Sequence, residues 1–158
     1  ILNKLEQTGC EIKIENKCVC LKAPKKIKAV DIKTMPYPGF PTDMQSVFAS
    51  ILTIAKGNSV IVENIFENRY KYVSELKRMG AKITVEGRIA VIKGCKKLSG
   101  ATVESTDLRG GAALVVAGLV AKGTTTVKKI GYILRGYECL DKKLNKLGAK
   151  ITIKEEKE

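Results

Sequence analysis

Histidine and tryptophan are absent from this sequence, and aromatic residues make up only 5% of it. Without histidine, a zinc site would have to be built from cysteines and carboxylates alone. The five cysteines, Cys10, Cys18, Cys20, Cys95 and Cys139, contain no C-x-x-C pair. Their odd number and the lack of a secretion signal point to reduced thiols in a cytosol, expected to be buried and structural. Cys18 and Cys20, two apart in a strand-like segment, share a face. No metal and no cofactor is expected. The scarce aromatics leave a base-stacking platform for single-stranded nucleic acid poorly supplied. No run approaches the ~20 apolar residues of a membrane span. The longest, Ala112 to Ala121, is short and contains Gly118. The chain opens on Ile1, inside what reads as a helix, so it reads as a cytoplasmic fragment of something longer.

What is present has the dimensions of one domain: 158 residues, 44% hydrophobic and 28% charged, enough to bury a core. The net charge of +13 points to an anionic partner, whether nucleic acid, acidic lipid or phosphorylated metabolite. Much of it is spread as single lysines, which usually form a solvated face. The one dense run is Lys22, Lys25, Lys26 and Lys28.

Between Thr34 and Gln45 lie three prolines, a glycine and two aromatics, which exclude a regular helix or a central strand. The stretch ends in Thr42 and Asp43, directly before an apolar-periodic segment. A side-chain oxygen there can cap a helix, and a carboxylate suits the positive end of its dipole. The same device recurs at Thr106 and Asp107, again opening an apolar helix.

The spacing predicts helices over 1–8, 43–56, 70–79, 107–121 and 136–146. It predicts strands over 11–14, 19–21, 26–33, 59–63, 82–85, 89–92, 101–104, 124–128 and 150–154. Gly9, Gly57 and Gly80 are expected to end helices. The 107–121 helix has almost no polar face after Arg109, so it should be buried on most sides. Gly110 and Gly111 inside it imply a close backbone approach.

Repeats organise the chain. Leu2–Cys10, Ser74–Ala81 and Lys142–Ala149 are one motif, a helix end followed by glycine, a small residue and an alternating strand. The two Thr-Asp helices with their Lys-Gly ends form a second matched set. Together they define a β-α-β-α-β-β unit of roughly 65 to 70 residues. The expected fold is α/β (α+β), one domain over 1–158. Residues 1–23 would be the tail of a first unit, 24–95 a second and 96–158 a third, incomplete at the N-terminal side.

These units, together with Pro36–Gln45, Phe66–Arg69, Leu98–Ala101, Thr106–Arg109 and Arg135–Glu138, resemble the enolpyruvyltransferase family. Members have two domains, each of three such units around a pseudo-threefold axis. The resemblance runs from Ile1 to about Ile153 and is weaker towards the shikimate-phosphate branch, notably at Phe66–Arg69. It implies transfer of the enolpyruvyl group of phosphoenolpyruvate to the 3′-hydroxyl of UDP-N-acetylglucosamine in peptidoglycan precursor synthesis, by addition and then elimination of phosphate. Asp43 matches the residue that contacts the acceptor hydroxyl and takes its proton. Asp107 matches a second acid, which relays protons. Arg69, Arg109 and Arg135 match the cations around phosphoenolpyruvate, while Ile65 and Phe66 match the nucleotide-sugar pocket. The reactive cysteine of the family belongs to the other domain, and none of the five here lies in a matching motif. The implied partners are both substrates and the missing N-terminal domain, with no turnover expected from this chain alone.

Each residue also has an ordinary reading: Asp43 and Asp107 as helix caps, Phe66 as core, the arginines as surface. At the level of the chain, the alternatives are a nucleic-acid-binding module, which the charge would suit, and a non-catalytic scaffold on the same repeat fold, which the matched acids and arginines argue against.

Overall fold

A computed structural model describes residues 1–154. The chain begins with α1 (Leu2–Gln7), then the antiparallel hairpin β1 (Glu11–Glu15) and β2 (Cys18–Lys22). The central part runs β3 (Ile32–Lys33), α2 (Thr42–Leu52), β4 (Asn58–Val62), a 3-10 turn (Arg69–Tyr72) leading into α3 (Val73–Arg78), and the hairpin β5 (Lys82–Glu86) and β6 (Ile89–Lys93). Its strands form one sheet in the order β3-β4-β6-β5, with β3 parallel to β4 and the other pairs antiparallel. The last part is β7 (Thr102–Glu104), α4 (Leu108–Val120), β8 (Thr126–Lys128), α5 (Gly131–Leu134) and α6 (Leu140–Lys146), with β7 parallel to β8.

The expected repeats are visible in the backbone. The amides of Cys10, Ala81 and Ala149 bond back to Leu5, Leu76 and Leu144 carbonyls at 3.2, 3.0 and 3.1 Å. In each case the preceding glycine takes positive φ, so three helix ends close in the same way where a Cβ would be strained. The β-α-β start also recurs, with β3-α2-β4 matched by β7-α4-β8.

Alternation places the core. Along β6, Ala90 and Ile92 are buried while Ile89 and Val91 face out. The inward residues of the sheet meet Phe48, Ala49 and Leu52 of α2 in one apolar cluster with Tyr72, Leu76 and Leu114. Phe40, at the end of the proline loop, meets Phe48 edge-on at 5.4 Å, so the loop is pinned to the core by an aromatic pair.

Helix α4 packs against α2. The hydroxyls of Ser46 and Ser50, one turn apart, donate to the carbonyls of Arg109 at 3.0 Å and Ala113 at 2.8 Å. Glycines let α4 lie close to its other neighbours as well. A Cβ on Gly111 would lie 2.2 Å from Ser105 Oγ and 2.7 Å from Ile133 Cγ1, and one on Gly110 would lie 3.1 Å from Tyr72 Cβ. The buried part of α4 is Gly110–Leu114 and Ala117, whereas Leu119 and Val120 at its end are exposed. No helix among the described residues is long and apolar enough to cross a membrane.

Several expectations need correction. Only Ile32–Lys33 of the 26–33 segment is strand, because its sole parallel partner beyond a bridge at Lys28 is the end of β4. The expected 136–146 helix is α6 preceded by the separate α5. The break at 135–139 carries Cys139 at φ +47° and turns Tyr137 toward Arg109. Residues 150–154 are not a strand. Among the described residues they pair with none, and Ile151 instead exchanges two hydrogen bonds with the Asn145 side chain. The thiols are not buried, since Cys18, Cys20 and Cys139 are exposed and Cys10 and Cys95 partly so. For Cys18 and Cys20 the reason is that β2 lies in a two-stranded hairpin and is exposed along its whole length.

Gly111→Ala should destabilise the chain by about 1–3 kcal/mol through overpacking, despite alanine's better helix propensity. Urea unfolding monitored by circular dichroism measures this, and an unchanged or higher midpoint would contradict the packing described.

Candidate active site

Asp43 is the second residue of α2, Arg109 the second of α4, and Arg69 opens the 3-10 turn. The α2–α4 packing brings the first two together at the helix N-termini. Asp43 Oδ2 accepts from Arg109 Nη2 at 2.7 Å, and its Oδ1 from Arg69 Nη2 at 2.9 Å. One carboxylate therefore joins two guanidinium groups from separate segments. The Asp43 side chain keeps 56% of its exposure, while that of Arg69 retains only 9%. The cluster thus presents an open carboxylate backed by an enclosed cation.

Aromatic rings flank both arginines. The Arg69 guanidinium lies 4.7 Å from the Phe66 ring centre, and that of Arg109 lies 5.5 Å from the Tyr137 ring and donates from Nη1 to its hydroxyl at 2.9 Å. These contacts hold the flat cations in fixed planes. The Arg69 Nε is buried without a partner among the described residues. Ile65 and Phe66 are both exposed beside this group, so Phe66 is not the core residue of its ordinary reading, nor is the buried Arg69 a surface charge.

The two Thr-Asp pairs behave differently. Asp107 is a true cap, with Oδ1 accepting from the amides of Arg109 at 3.0 Å and Gly110 at 2.8 Å, and Oδ2 from the Thr106 hydroxyl at 3.1 Å. At α2 neither expected cap forms. Pro41 occupies the cap position, Asp43 is drawn to the arginines, and the Thr42 hydroxyl donates 2.9 Å to Glu63 Oε2. Arg135 stands apart from the cluster's bonds. It is exposed at the end of α5, and its guanidinium has no partner among the described residues.

The sequence reading missed Glu63 and Tyr137. Glu63 is 1% exposed and follows Ser59 and Ile61 on the inward phase of β4. A carboxylate on that phase is a signal alternation could have supplied. For Tyr137 the available signal was its place inside the Arg135–Glu138 motif.

Arg109's hydrogen bond, ahead of the contribution of Arg69, holds the Asp43 carboxyl below its ordinary 3.8. The Arg109 pKa is raised by the same bond. The lowered value means that the pairing stabilises the fold fully above the ordinary carboxylate range. This stabilisation is lost as pH falls through the lower folded value. Carbon-detected NMR should find Asp43 titrating below 3.8, and Arg109→Gln should move it back up. A wild-type midpoint above 3.8 would contradict the clamp.

Comparison with known proteins follows the same outline. Residues 1–144 match the family model described as EPSP synthase (3-phosphoshikimate 1-carboxyvinyltransferase). The chain is 56% identical over 151 residues to UDP-N-acetylglucosamine 1-carboxyvinyltransferase of Desulfofundulus thermocisternus, covering 96% of this chain and 62% of that protein. It is 55% identical over 152 residues to UDP-N-acetylglucosamine 1-carboxyvinyltransferase 2 of Caldanaerobacter subterraneus subsp. tengcongensis, covering 96% of this chain and 36% of that one. The chain thus spans only part of the length of these relatives, 62% of the first and 36% of the second. Among solved structures, the enolpyruvyl transferase NikO from Streptomyces tendae superposes with a TM-score of 0.85 at 27% identity, covering 94% of this chain and 35% of that one. EPSP synthase from Acinetobacter baumannii, at TM-score 0.58 and 20% identity over 80% of this chain and 31% of that one, shares the fold.

Proposed function

The chain belongs to the EPSP synthase family of carboxyvinyl transferases, and from that premise we propose that it is the acceptor-side domain of a UDP-N-acetylglucosamine 1-carboxyvinyltransferase. The observation that carries this reading is the Asp43 carboxylate clamped by Arg69 and Arg109 beside the exposed Ile65 and Phe66. In this reading the chain divides into units at 1–23, 24–95 and 96–158, works in the cytoplasm, and serves peptidoglycan precursor synthesis. It is completed by a partner domain that supplies the remaining phosphate and uridine contacts.

The acceptor sugar lies against Ile65 and Phe66 with its 3′-hydroxyl at Asp43. Arg69, Arg109 and Arg135 receive the carboxylate and phosphate of phosphoenolpyruvate, for which planar guanidinium forks are suited. The hydroxyl oxygen bonds to C2 of phosphoenolpyruvate as its proton passes to Asp43 and another proton enters C3. Loss of a C3 proton and breakage of the C2–O bond then release phosphate.

A general base works best with a pKa near the ambient pH, whereas Asp43 is held low. The anionic groups of phosphoenolpyruvate compete for the same guanidinium groups, so their arrival weakens the clamp and restores basicity where it is used. Asp107 keeps Oδ1 in the α4 cap, and its Oδ2, held among the described residues only by the Thr106 hydroxyl, is the oxygen available to relay a proton. The relatives described above are named as transferases, and nothing in the cluster favours the nucleic-acid or scaffold readings.

Mixing this chain with the separately produced remainder of the enzyme should release phosphate from phosphoenolpyruvate only when both parts and UDP-N-acetylglucosamine are present. Asp43→Asn should slow release about 10²–10⁴-fold. No release from a demonstrated complex of the two parts, or release undiminished in Asp43→Asn, would refute the reading.

A further inference from the structure

Glu63 stands outside the clamp, yet its carboxylate touches the proline loop, the start of α2 and the Ile65–Phe66 turn. Oε1 accepts from the Thr34 hydroxyl at 2.7 Å and from the amides of Ile65 and Phe66 at 2.9 and 3.0 Å. Oε2 accepts from the Thr42 hydroxyl at 2.9 Å. Thr34 and Thr42 are the two ends of the proline loop, so one carboxylate closes that loop at its base. Thr42 immediately precedes Asp43, and Ile65 and Phe66 are the exposed residues beside Arg69.

The chemistry of this group is unusual for a packing residue. A buried carboxylate is costly unless its lone pairs are satisfied, and no lysine or arginine pairs with Glu63 among the described residues. It is satisfied instead by four neutral donors from three places in the chain. An apolar side chain would fill the same space at lower cost but would fix no directions. Four charge-assisted bonds do fix them.

We infer that Glu63 is a positioning residue, whose carboxylate sets the start of α2, and with it Asp43, at a fixed distance from the Ile65–Phe66 turn. Its consequence for substrate rests on the acceptor-site reading above: hydroxyl and sugar face would be gripped at two points whose spacing Glu63 determines. Thr34 extends the brace, because its hydroxyl also accepts from the Asn64 amide at 2.8 Å, and its carbonyl from Asn64 Nδ2 at 3.2 Å.

Two variants test the brace and a third separates it from general stability. Glu63→Gln keeps the size but replaces one acceptor oxygen with a donor. Thr42→Val removes only the Oε2 bond. Ile92→Val, in the sheet core, lowers stability without touching the brace. In ¹⁵N-labelled full chain, Glu63→Gln should speed hydrogen exchange at the Ile65 and Phe66 amides by about tenfold or more, as expected for loss of bonds to a charged acceptor. Both Glu63→Gln and Thr42→Val should move the Asp43 titration midpoint, and Ile92→Val should change neither reading. If Glu63→Gln and Thr42→Val match Ile92→Val at Ile65, Phe66 and Asp43, the positioning role is overturned. Should Glu63→Gln not fold, the Asp43 midpoint in Thr42→Val decides alone.

Kinetics of the chain combined with the remainder of the enzyme separate this inference from the reading it rests on. The positioning role requires Glu63→Gln to raise KM for UDP-N-acetylglucosamine more than KM for phosphoenolpyruvate, and an equal change in both would count against it. A wild-type combination with no turnover would sink the acceptor-site reading, while the NMR result would still decide whether Glu63 positions Asp43.

Discussion

Two serine hydroxyls set the geometry on which the site depends. Ser46 and Ser50 lie one turn apart on α2 and donate to carbonyls one turn apart on α4, so the helices can meet in only one register. Each bond is worth on the order of 1 kcal/mol net. Sliding one helix past the other would break both bonds, leaving Ser46 unpaired and Ser50 with only a 3.4 Å contact to the Ser46 carbonyl of its own helix. On its other sides, Gly110 and Gly111 let α4 lie close to Tyr72 and Ile133, and Ala113 and Ala117 are buried. The register places the two helix N-termini side by side, which is why Asp43 and Arg109 meet although 66 residues separate them. Anions favour such ends, and the clamp arranges cations around one carboxylate there.

That arrangement separates two roles that a carboxylate at a helix start can play. Asp107 caps its own helix and so fixes the backbone from which Arg109 projects. Asp43 gives up the capping role and binds side chains from elsewhere. Glu63 takes over the Thr42 hydroxyl, which the sequence offered as a cap for α2. Three carboxylates thus divide the work of ending a helix, holding cations and bracing a loop. The repeat supplied two equivalent starting points, and different partners made them unequal.

How much of this was legible in the sequence follows from the range of each interaction. Helix ends at Gly9 and Gly80, and the hairpin across Glu86 and Gly87, depend on a few neighbouring residues and were readable. The helix expected over 43–56 with its end at Gly57 stops instead at Leu52, because the Lys56 amide pairs with the distant Ile27 carbonyl at 2.7 Å. The repeat was readable because it recurs in one dimension. The Asp107 cap is local and was foreseen, whereas capping by Asp43 or Thr42 failed because their partners lie 21 to 66 residues away. The strand expected at 150–154 has a suitable alternating pattern but no partner among the described residues, and pattern alone cannot supply one. Buried cysteines were expected from the general habit of free thiols, which gives way where β1 and β2 stand as an isolated pair. Glu63 was overlooked because its meaning lies in four donors gathered from elsewhere.

The central claim is that Asp43 holds Arg69 and Arg109 ready for an anionic substrate and yields them when it arrives. The most direct measurement follows the ¹⁵N signals of the Arg69 and Arg109 guanidinium groups as phosphoenolpyruvate is added to this chain combined with the remainder of the enzyme. The account predicts saturable shifts at both arginines, together with a rise in the Asp43 titration midpoint. Binding of phosphoenolpyruvate that leaves both guanidinium signals and the Asp43 midpoint unmoved would contradict it.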